Sequence, residues 1–265
     1  MLSDSLFLVI LSVLAWTGLI EFYRLASKTG LISFPVWGVS CGLLLIVGTH
    51  MHLQGWLGIS GTPARVNDFE TSLLIVFVLG LCVRQFLRHE LGGAIAAVST
   101  TLFGLMYVPW LLNFIQKINF FPGIEGTWYV LYFILVTKAS DVGAYCVGSL
   151  IGRHKMIPSV SPGKTWEGFG GALVVSVGVS LLFAHFANRH LLGLTPLQAV
   201  ILGLLLGSSA VVGDLIKSIF KRESGVKDSG AFFPGIGGIL DLLDSLLFNA
   251  PLMYLYLRHI LTHPA

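Results

Sequence analysis

Long apolar runs alternate with short polar segments along the whole chain, and this alternation predicts membrane-spanning helices. A run of about 18 or more apolar residues is long enough to cross a bilayer as a helix. The pattern therefore predicts an all-α, polytopic membrane helix bundle of about eight transmembrane helices. The runs lie near residues 5–26, 32–51, 70–87, 93–115, 127–150, 167–187, 196–220 and 238–261.

The composition supports this interpretation. Hydrophobic residues make up 55% of the chain and charged residues only 11%, whereas a soluble domain has roughly a quarter charged residues. The three cysteines show no CxxC or metal-ligand spacing, so packed, inert thiols are expected. An ordinary soluble domain is excluded.

The basic residues predict the orientation of the bundle. Eleven Lys and Arg fall in the segments after the odd-numbered spans, and four fall in the segments on the opposite side. The richer side is expected to face the cytoplasm. Both termini are then expected outside.

The two halves of the chain differ in chemistry. Residues 1–125 are predicted to form N-terminal transmembrane helices that serve as a lipid-facing scaffold, and residues 126–265 a C-terminal transmembrane catalytic region. In the first half, Glu21 and Arg24 are interpreted as a helix-end ion pair, and His50 and His52 as interfacial residues.

The first polar block of the second half covers residues 138–171. Asp141 lies near the end of a span, where an ionisable side chain suggests function. The segment SPGKTWEG offers a lysine, hydroxyls and free backbone amides before a new helix, which suits a phosphate. An ordinary cytoplasmic turn is the alternative. A P-loop is excluded, because Pro158 stands where that motif needs glycine.

The second block, residues 211–230, places Asp214 inside an apolar helix. Lys217 and Lys221 follow at helical spacing on the same face, and further basic residues come after them. A buried acid in such a helix needs a cation, a partner or a water-filled cavity. A simple ion pair between Asp214 and Lys217 is the alternative to a functional site.

The third block reads KDSGAFFPGIGGILDLLDS, residues 227–245. Asp241 and Asp244 are three apart on the predicted last helix and therefore share a face. Two neighbouring carboxylates repel each other unless a cation compensates, and Mg²⁺ commonly takes one or two carboxylates together with substrate phosphates. Solvated acids at a helix end are the alternative.

These blocks resemble the phosphatidate cytidylyltransferase family, also called CDP-diacylglycerol synthases. The family signature runs Ser-x-x-Lys-Arg, Lys-Asp-Ser-Gly, Pro-Gly-His-Gly-Gly and Asp-Arg-x-Asp. DVGAY, IGRHK, SPGKTWEG and the early EFYRL are also similar, and the likeness is strong over residues 137–251. The matching signature residues are Ser218, Lys221, Arg222, Lys227, Asp228, Ser229, Gly230, Pro234, Gly235, Gly237, Gly238, Asp241 and Asp244.

The resemblance implies that phosphatidate from the bilayer reacts with CTP to give CDP-diacylglycerol and pyrophosphate. It implies Mg²⁺ as cofactor, with a second cation left open, and a place in the cytoplasmic membrane of a bacterium. Metal binding and catalysis are implied for Asp214, Asp241 and Asp244, and catalytic roles for Lys221 and Lys227. Substrate binding is implied for Ser161, Lys164, Thr165, Arg222, Asp228, Gly237, Gly238 and Asp141.

Two positions depart from the signature. Ile236 stands where the family has histidine, and Leu242 where it has arginine. Each departure removes a phosphate contact beside the predicted metal site. Because every acid and lysine of the pattern is retained, we expect a divergent but active branch, with an inactive or re-targeted paralogue as the alternative.

Other functions remain to be separated from this one. A CTP-dependent lipid kinase of the polyprenol type would release CDP and a phospholipid. An ion-coupled transporter would carry acids through the depth of the membrane on both sides, whereas the acids here accompany the cytoplasmic lysines. No nucleic-acid partner is expected, and a homodimer is left open.

Overall fold

The computed structural model describes residues 2–56, 63–89, 92–191, 193–226, 230 and 237–261. Within these residues, the short strands Lys155–Ile157 and Ser161–Thr165 pair as an antiparallel hairpin. The π-helical turns Met106–Trp110 and Leu257–Leu261 follow the helices that end at Leu105 and Tyr256. The elements are α1 (Leu2–Lys28), α2 (Pro35–Leu53), α3 (Pro63–Arg88), α4 (Ala94–Leu105), α5 (Leu111–Asn119), α6 (Gly126–Ile151), β1 (Lys155–Ile157), β2 (Ser161–Thr165), α7 (Trp166–Phe186), α8 (Pro196–Glu223) and α9 (Ile239–Tyr256).

Among the described residues, eight helical segments are long and apolar enough to cross a membrane. Helices α4 and α5 count as one segment, Ala94–Asn119, because the π turn joins them. The prediction of an all-α membrane bundle of about eight helices is confirmed. The hairpin was not predicted, since the sequence pattern there indicated only a polar turn.

The π turn at Met106–Trp110 has a local cause. Pro109 lies within it. Proline lacks the N–H of a helical hydrogen bond, and its ring clashes with the carbonyl four residues earlier. A wider turn relieves this conflict without ending the helix. The span therefore continues through α5 to Asn119.

The chain groups into two compact units, residues 1–116 with 223–241 and residues 117–222 with 242–265. In the second unit, α6 and α7 approach closely through glycines. A β-carbon added at Gly143 would lie 2.7 Å from the Gly171 carbonyl oxygen, so a larger residue would push the helices apart. The boundary predicted at residues 125 and 126 stays a prediction.

The first unit contains a buried polar network. Asn113 Nδ2 donates to Glu70 Oε1 at 2.6 Å and to Thr49 Oγ1 at 2.9 Å. Gln116 Nε2 donates to Asn113 Oδ1 at 2.8 Å, and Gln116 Oε1 lies 3.0 Å from His50 Nδ1. His50 is fully buried, so its side chain belongs to this network, and the interfacial position predicted for His50 and His52 stays a prediction. Polar side chains are buried in an apolar interior only when they have hydrogen-bond partners, and these residues provide them for one another.

Candidate active site

An ion cluster in the second unit joins α8, α9 and β2. Asp214 and Lys217 lie one turn apart on α8, with Lys217 Nζ 2.9 Å from Asp214 Oδ1. The same ammonium bonds Asp244 Oδ2 on α9. Lys164 Nζ from β2 lies 2.7 Å from Asp214 Oδ2. Two acids thus share two lysines, so the formal charges of the ion cluster (Lys164, Asp214, Lys217, Asp244) balance.

The ion cluster has a closed side and an open side. The side chains of Lys217 and Asp244 are only 7% and 6% exposed, whereas those of Lys164 and Asp214 are 20% and 33% exposed. Buried charges need partners because desolvation is costly. The Lys217–Asp244 pair therefore anchors the cluster, and the Asp214–Lys164 edge is where a charged ligand can reach it.

The hairpin carries Lys164 to this position. Thr165 ends β2 in extended conformation and caps α7, because its Oγ1 accepts the Gly168 N–H at 3.1 Å. Lys164 Nζ also donates to the Val211 carbonyl of α8 at 3.0 Å. The Thr165 hydroxyl is thus committed to the helix cap, while Lys164 pairs with Asp214, a contact that the sequence did not predict.

Glu167, in the first turn of α7, fastens the base of the hairpin. Its carboxylate accepts the backbone N–H groups of Arg153 at 3.1 Å and His154 at 3.2 Å, and its Oε1 lies 2.5 Å from His154 Nδ1. Glu167 was not among the site residues predicted from the sequence. An acid in the first turn of a helix was the available signal.

Arg222, near the end of α8, contacts the turn between β1 and β2. Arg222 Nε donates to the Val160 carbonyl oxygen at 3.0 Å, directly before Ser161. Ser161 begins β2 and is partly exposed, and Lys221 is partly exposed near the end of α8. Arg222 therefore secures the turn before β2 through a backbone contact.

Asp141 belongs to a second polar group in this unit. Lys138 Nζ lies 3.3 Å from Asp141 Oδ2 and 3.0 Å from both Ser245 Oγ and the Leu242 carbonyl oxygen. The Ser245 hydroxyl also donates to Asp141 Oδ2 at 3.3 Å. We call Lys138, Asp141 and Ser245 the Lys138 cluster. A binding role was predicted from the sequence for Asp141 but not for Lys138.

In the first unit, Gly237 and Gly238 precede α9, and Asp241 bonds the backbone of Gly238. Gly237 has a φ of +98°, a backbone conformation that favours glycine. The Gly238 N–H donates to Asp241 Oδ2 at 3.1 Å. The Glu21 carboxylate, from α1, accepts the next two N–H groups, those of Ile239 at 2.9 Å and Leu240 at 2.8 Å. Glu21 thus caps α9, a role that sequence reasoning missed.

Some predicted positions lie outside the described residues. These are Lys227, Asp228, Ser229, Pro234, Gly235 and the departure at Ile236.

The acids allow a test of the predicted metal. In the part of the chain that the structure describes, no three His, Cys, Asp or Glu side chains are grouped so as to hold a metal ion by themselves. Asp214 and Asp244 do converge on one cation, the Lys217 ammonium. Two carboxylates completed by substrate phosphates are a donor set that Mg²⁺ accepts. Asp214 and Asp244 would thus supply two carboxylates to a Mg²⁺ completed by substrate phosphates, and the metal itself stays a prediction.

Comparison with known proteins decides the family. The model of the cytidylyltransferase family matches residues 1–260. The chain belongs to this family. The resemblance drawn from the motifs is thereby confirmed, and so is the prediction of a membrane-embedded transferase.

Relatives of this cytidylyltransferase-family chain differ in how much of their length they share with it. The uncharacterized protein YnbB of Escherichia coli is 34% identical over 257 residues, 93% of this chain and 79% of the relative. A phosphatidate cytidylyltransferase of Mycobacterium bovis is 39% identical over 159 residues, 60% of this chain and 50% of the relative. One of Haemophilus influenzae is 43% identical over 128 residues, 48% of this chain and 44% of the relative. The chain thus aligns with about half the length of the relatives that carry this enzyme name.

Proposed function

We propose that this chain transfers the cytidylyl group of CTP to phosphatidate, giving CDP-diacylglycerol and pyrophosphate. The observation that carries the proposal is the ion cluster, in which two lysines and two acids from α8, α9 and β2 meet with one edge open. Two relatives named phosphatidate cytidylyltransferase, with about 40% identity, support the choice of lipid substrate.

The reaction brings polyanions together, so its main demand is neutralisation of charge. A triphosphate and a phosphate monoester repel each other, and positioned cations reduce that repulsion in the transition state. Lys164 is the accessible lysine of the ion cluster and would bind a phosphate oxygen of CTP. Lys217 would keep Asp214 and Asp244 close together while the substrates bind. Lys221 and Lys227 stay predicted phosphate contacts.

Asp214 and Asp244 would hold Mg²⁺, and Asp241, three residues before Asp244 on α9, stays the predicted third acid. When bound, the ion would polarise the phosphate oxygens of CTP and stabilise the charge that moves to the leaving pyrophosphate. The chemistry needs no protein nucleophile. The role of the acids would therefore be to hold the cation in position.

The bond changes balance without a covalent enzyme intermediate. An oxygen of the phosphatidate phosphate forms a bond to the α-phosphorus of CTP, and the bond from that phosphorus to the bridging oxygen breaks. The electron pair leaves with pyrophosphate. A phosphate monoester is already ionised near neutral pH, so no side chain has to remove a proton first. The residues of the chain orient the two phosphates in line.

We also infer that the candidate site faces the cytoplasm, where CTP is found. The excess of Lys and Arg on that side supports this orientation. A single cysteine at Lys155, in a chain whose three native cysteines are replaced by serine, tests it. We expect labelling by a membrane-impermeant maleimide in inside-out vesicles and protection in right-side-out vesicles. The opposite pattern would reverse the orientation.

Position-labelled CTP tests the reaction. Purified chain is incubated with phosphatidate in mixed micelles and Mg²⁺, with the label at either the α- or the γ-phosphate. We expect the α-label in a CDP-lipid and the γ-label in pyrophosphate. Transfer of the γ-label to lipid, with release of CDP, would instead identify a lipid kinase.

Variants connect the reaction to the ion cluster and to Asp241. Asp244→Asn and Asp241→Ala are expected to abolish formation of CDP-lipid, while Asp68→Asn, an exposed acid on α3, serves as matched control. Full activity of Asp244→Asn would overturn the assignment of the site. Failure of the parent chain to form CDP-lipid would overturn the function.

A further inference from the structure

Position 242 lacks a cation that the cytidylyltransferase signature provides. The signature has arginine between its two aspartates, and this chain has Leu242 there. The Leu242 side chain is 37% exposed, so the position is not closed off by packing. A positively charged side chain at 242 would lie on the face of α9 that carries Ser245, three residues later.

A different cation lies at this place. Lys138 reaches from α6 to the first turns of α9, where its ammonium donates to the Leu242 carbonyl oxygen and to Ser245 Oγ, both at 3.0 Å. The backbone N–H of Ser245 donates to Asp244 Oδ1 at 2.5 Å. Ser245 therefore touches both the Lys138 cluster and the ion cluster.

We propose that Lys138 supplies to substrate phosphates the positive charge that residue 242 lacks in this chain. This inference rests on the proposed function, because it names a further binding residue for the same reaction. The sequence separates the two positions by 104 residues, but the fold places the ammonium at the backbone of the substituted residue. The positive charge is then carried by α6 instead of α9, and it lies at the same part of α9.

The geometry of Lys138 leaves room for a phosphate. An ammonium has three donors, and two of them fix Lys138 to α9 through the 3.0 Å contacts. The third is directed to Asp141 Oδ2 at a longer 3.3 Å. The side chains of Lys138 and Asp141 are 34% and 39% exposed. A phosphate oxygen approaching from the open side would share this third donor with Asp141.

A charge-transplant experiment tests the proposal. The parent, Lys138→Met, Lys138→Arg, Leu242→Arg and the double variant Lys138→Met/Leu242→Arg are purified, and kcat and KM are measured for CTP and for phosphatidate in separate titrations. A lost hydrogen bond to a charged group corresponds to a factor of about 10 to 100. We expect Lys138→Met to raise KM by about this factor for the substrate whose phosphate Lys138 contacts. A raised KM for CTP identifies the triphosphate, and a raised KM for phosphatidate identifies the lipid head group.

The double variant is the decisive arm. Leu242→Arg is expected to restore KM in the Lys138→Met background, and Lys138→Arg to keep it near the parental value. Lys28→Met, an exposed lysine at the end of α1, is the matched control. Parental KM values in Lys138→Met would overturn the inference. It would also be overturned if Lys138→Arg kept the parental KM while Leu242→Arg failed to lower the raised KM of Lys138→Met.

One further measurement separates a folding defect from a binding defect. Thermal unfolding in detergent is recorded for every variant; if Lys138→Met does not fold, Lys138→Gln with and without Leu242→Arg replaces it. An inactive parent chain would contradict the proposed function itself. If the parent chain is active and substitutions at residues 138 and 242 leave KM unchanged, only this inference is contradicted.

Discussion

Glu21 accepts the backbone N–H of Ile239 at 2.9 Å, although 218 positions separate the two residues in sequence. Its second oxygen accepts the N–H of Leu240 at 2.8 Å. The first helical N–H groups of α9 would otherwise lack partners within the helix, and a carboxylate also interacts favourably with a helix N-terminus. Glu21 therefore stabilises the start of the helix that carries Asp241 and Asp244.

Glu21→Gln is expected to destabilise this helix start. A carboxamide has only one oxygen, so its NH₂ group would face a backbone donor. We expect a loss of about 1–2 kcal/mol in the free energy of unfolding and reduced formation of CDP-lipid, measured by thermal unfolding and by the α-label assay. Glu223→Gln, an exposed acid at the end of α8, is the control. Parental stability and activity in Glu21→Gln would refute the capping role.

Lys217→Met is expected to destabilise the chain more strongly. It removes the buried ammonium that lies between Asp214 and Asp244, and removing one partner of a buried ion pair costs about 3–5 kcal/mol. Adding Asp244→Asn removes one of the two opposing acids, so the double variant should recover stability but not activity. Urea or thermal unfolding of both variants checks this, with Lys28→Met as control. A single variant as stable as the parent would contradict the prediction.

Removal of Mg²⁺ is expected to abolish formation of CDP-lipid. Excess EDTA should stop the reaction and added Mg²⁺ should restore it, because lysines alone leave the triphosphate under-neutralised. Asp214→Asn should raise the Mg²⁺ concentration needed for half-maximal activity, since one ligand charge is lost. Asp68→Asn should keep the parental value. Undiminished turnover in EDTA, with the metal content of the protein verified, would exclude a metal role for these acids.

Asn113→Ala separates stability from activity. Asn113 donates to Glu70 and Thr49 in the buried network of the first unit, and loss of buried hydrogen bonds costs about 1–3 kcal/mol. The network contains no predicted site residue, so kcat per folded molecule should stay near the parental value. Thermal unfolding and the α-label assay measure the two quantities. Asn188→Ala, an exposed asparagine, is the control. A selective loss of kcat without a loss of stability would link the network to catalysis.

Hydropathy predicted the number of spans, because each transmembrane helix must be apolar over the thickness of the bilayer. Helical spacing also predicted that Asp214 and Lys217 share a face, and the structure contains that ion pair. Spacing along one helix does not reveal which other helix will lie beside it. The contacts of Glu21 with α9 and of Lys138 with Leu242 depend on such neighbours. Both residues were visible in the sequence as charges within apolar segments, but their partners were not.

The π turn around Pro109 has a consequence for the residues that follow it. Each residue of an α-helix advances about 100° around the axis, and a π turn takes in one residue more than an α turn. Without that extra residue, Asn113 and Gln116 would be rotated by about 100°, away from Glu70 and His50. The turn therefore sets the rotational phase of α5. In a bilayer, that phase determines whether two carboxamides meet polar partners or hydrocarbon.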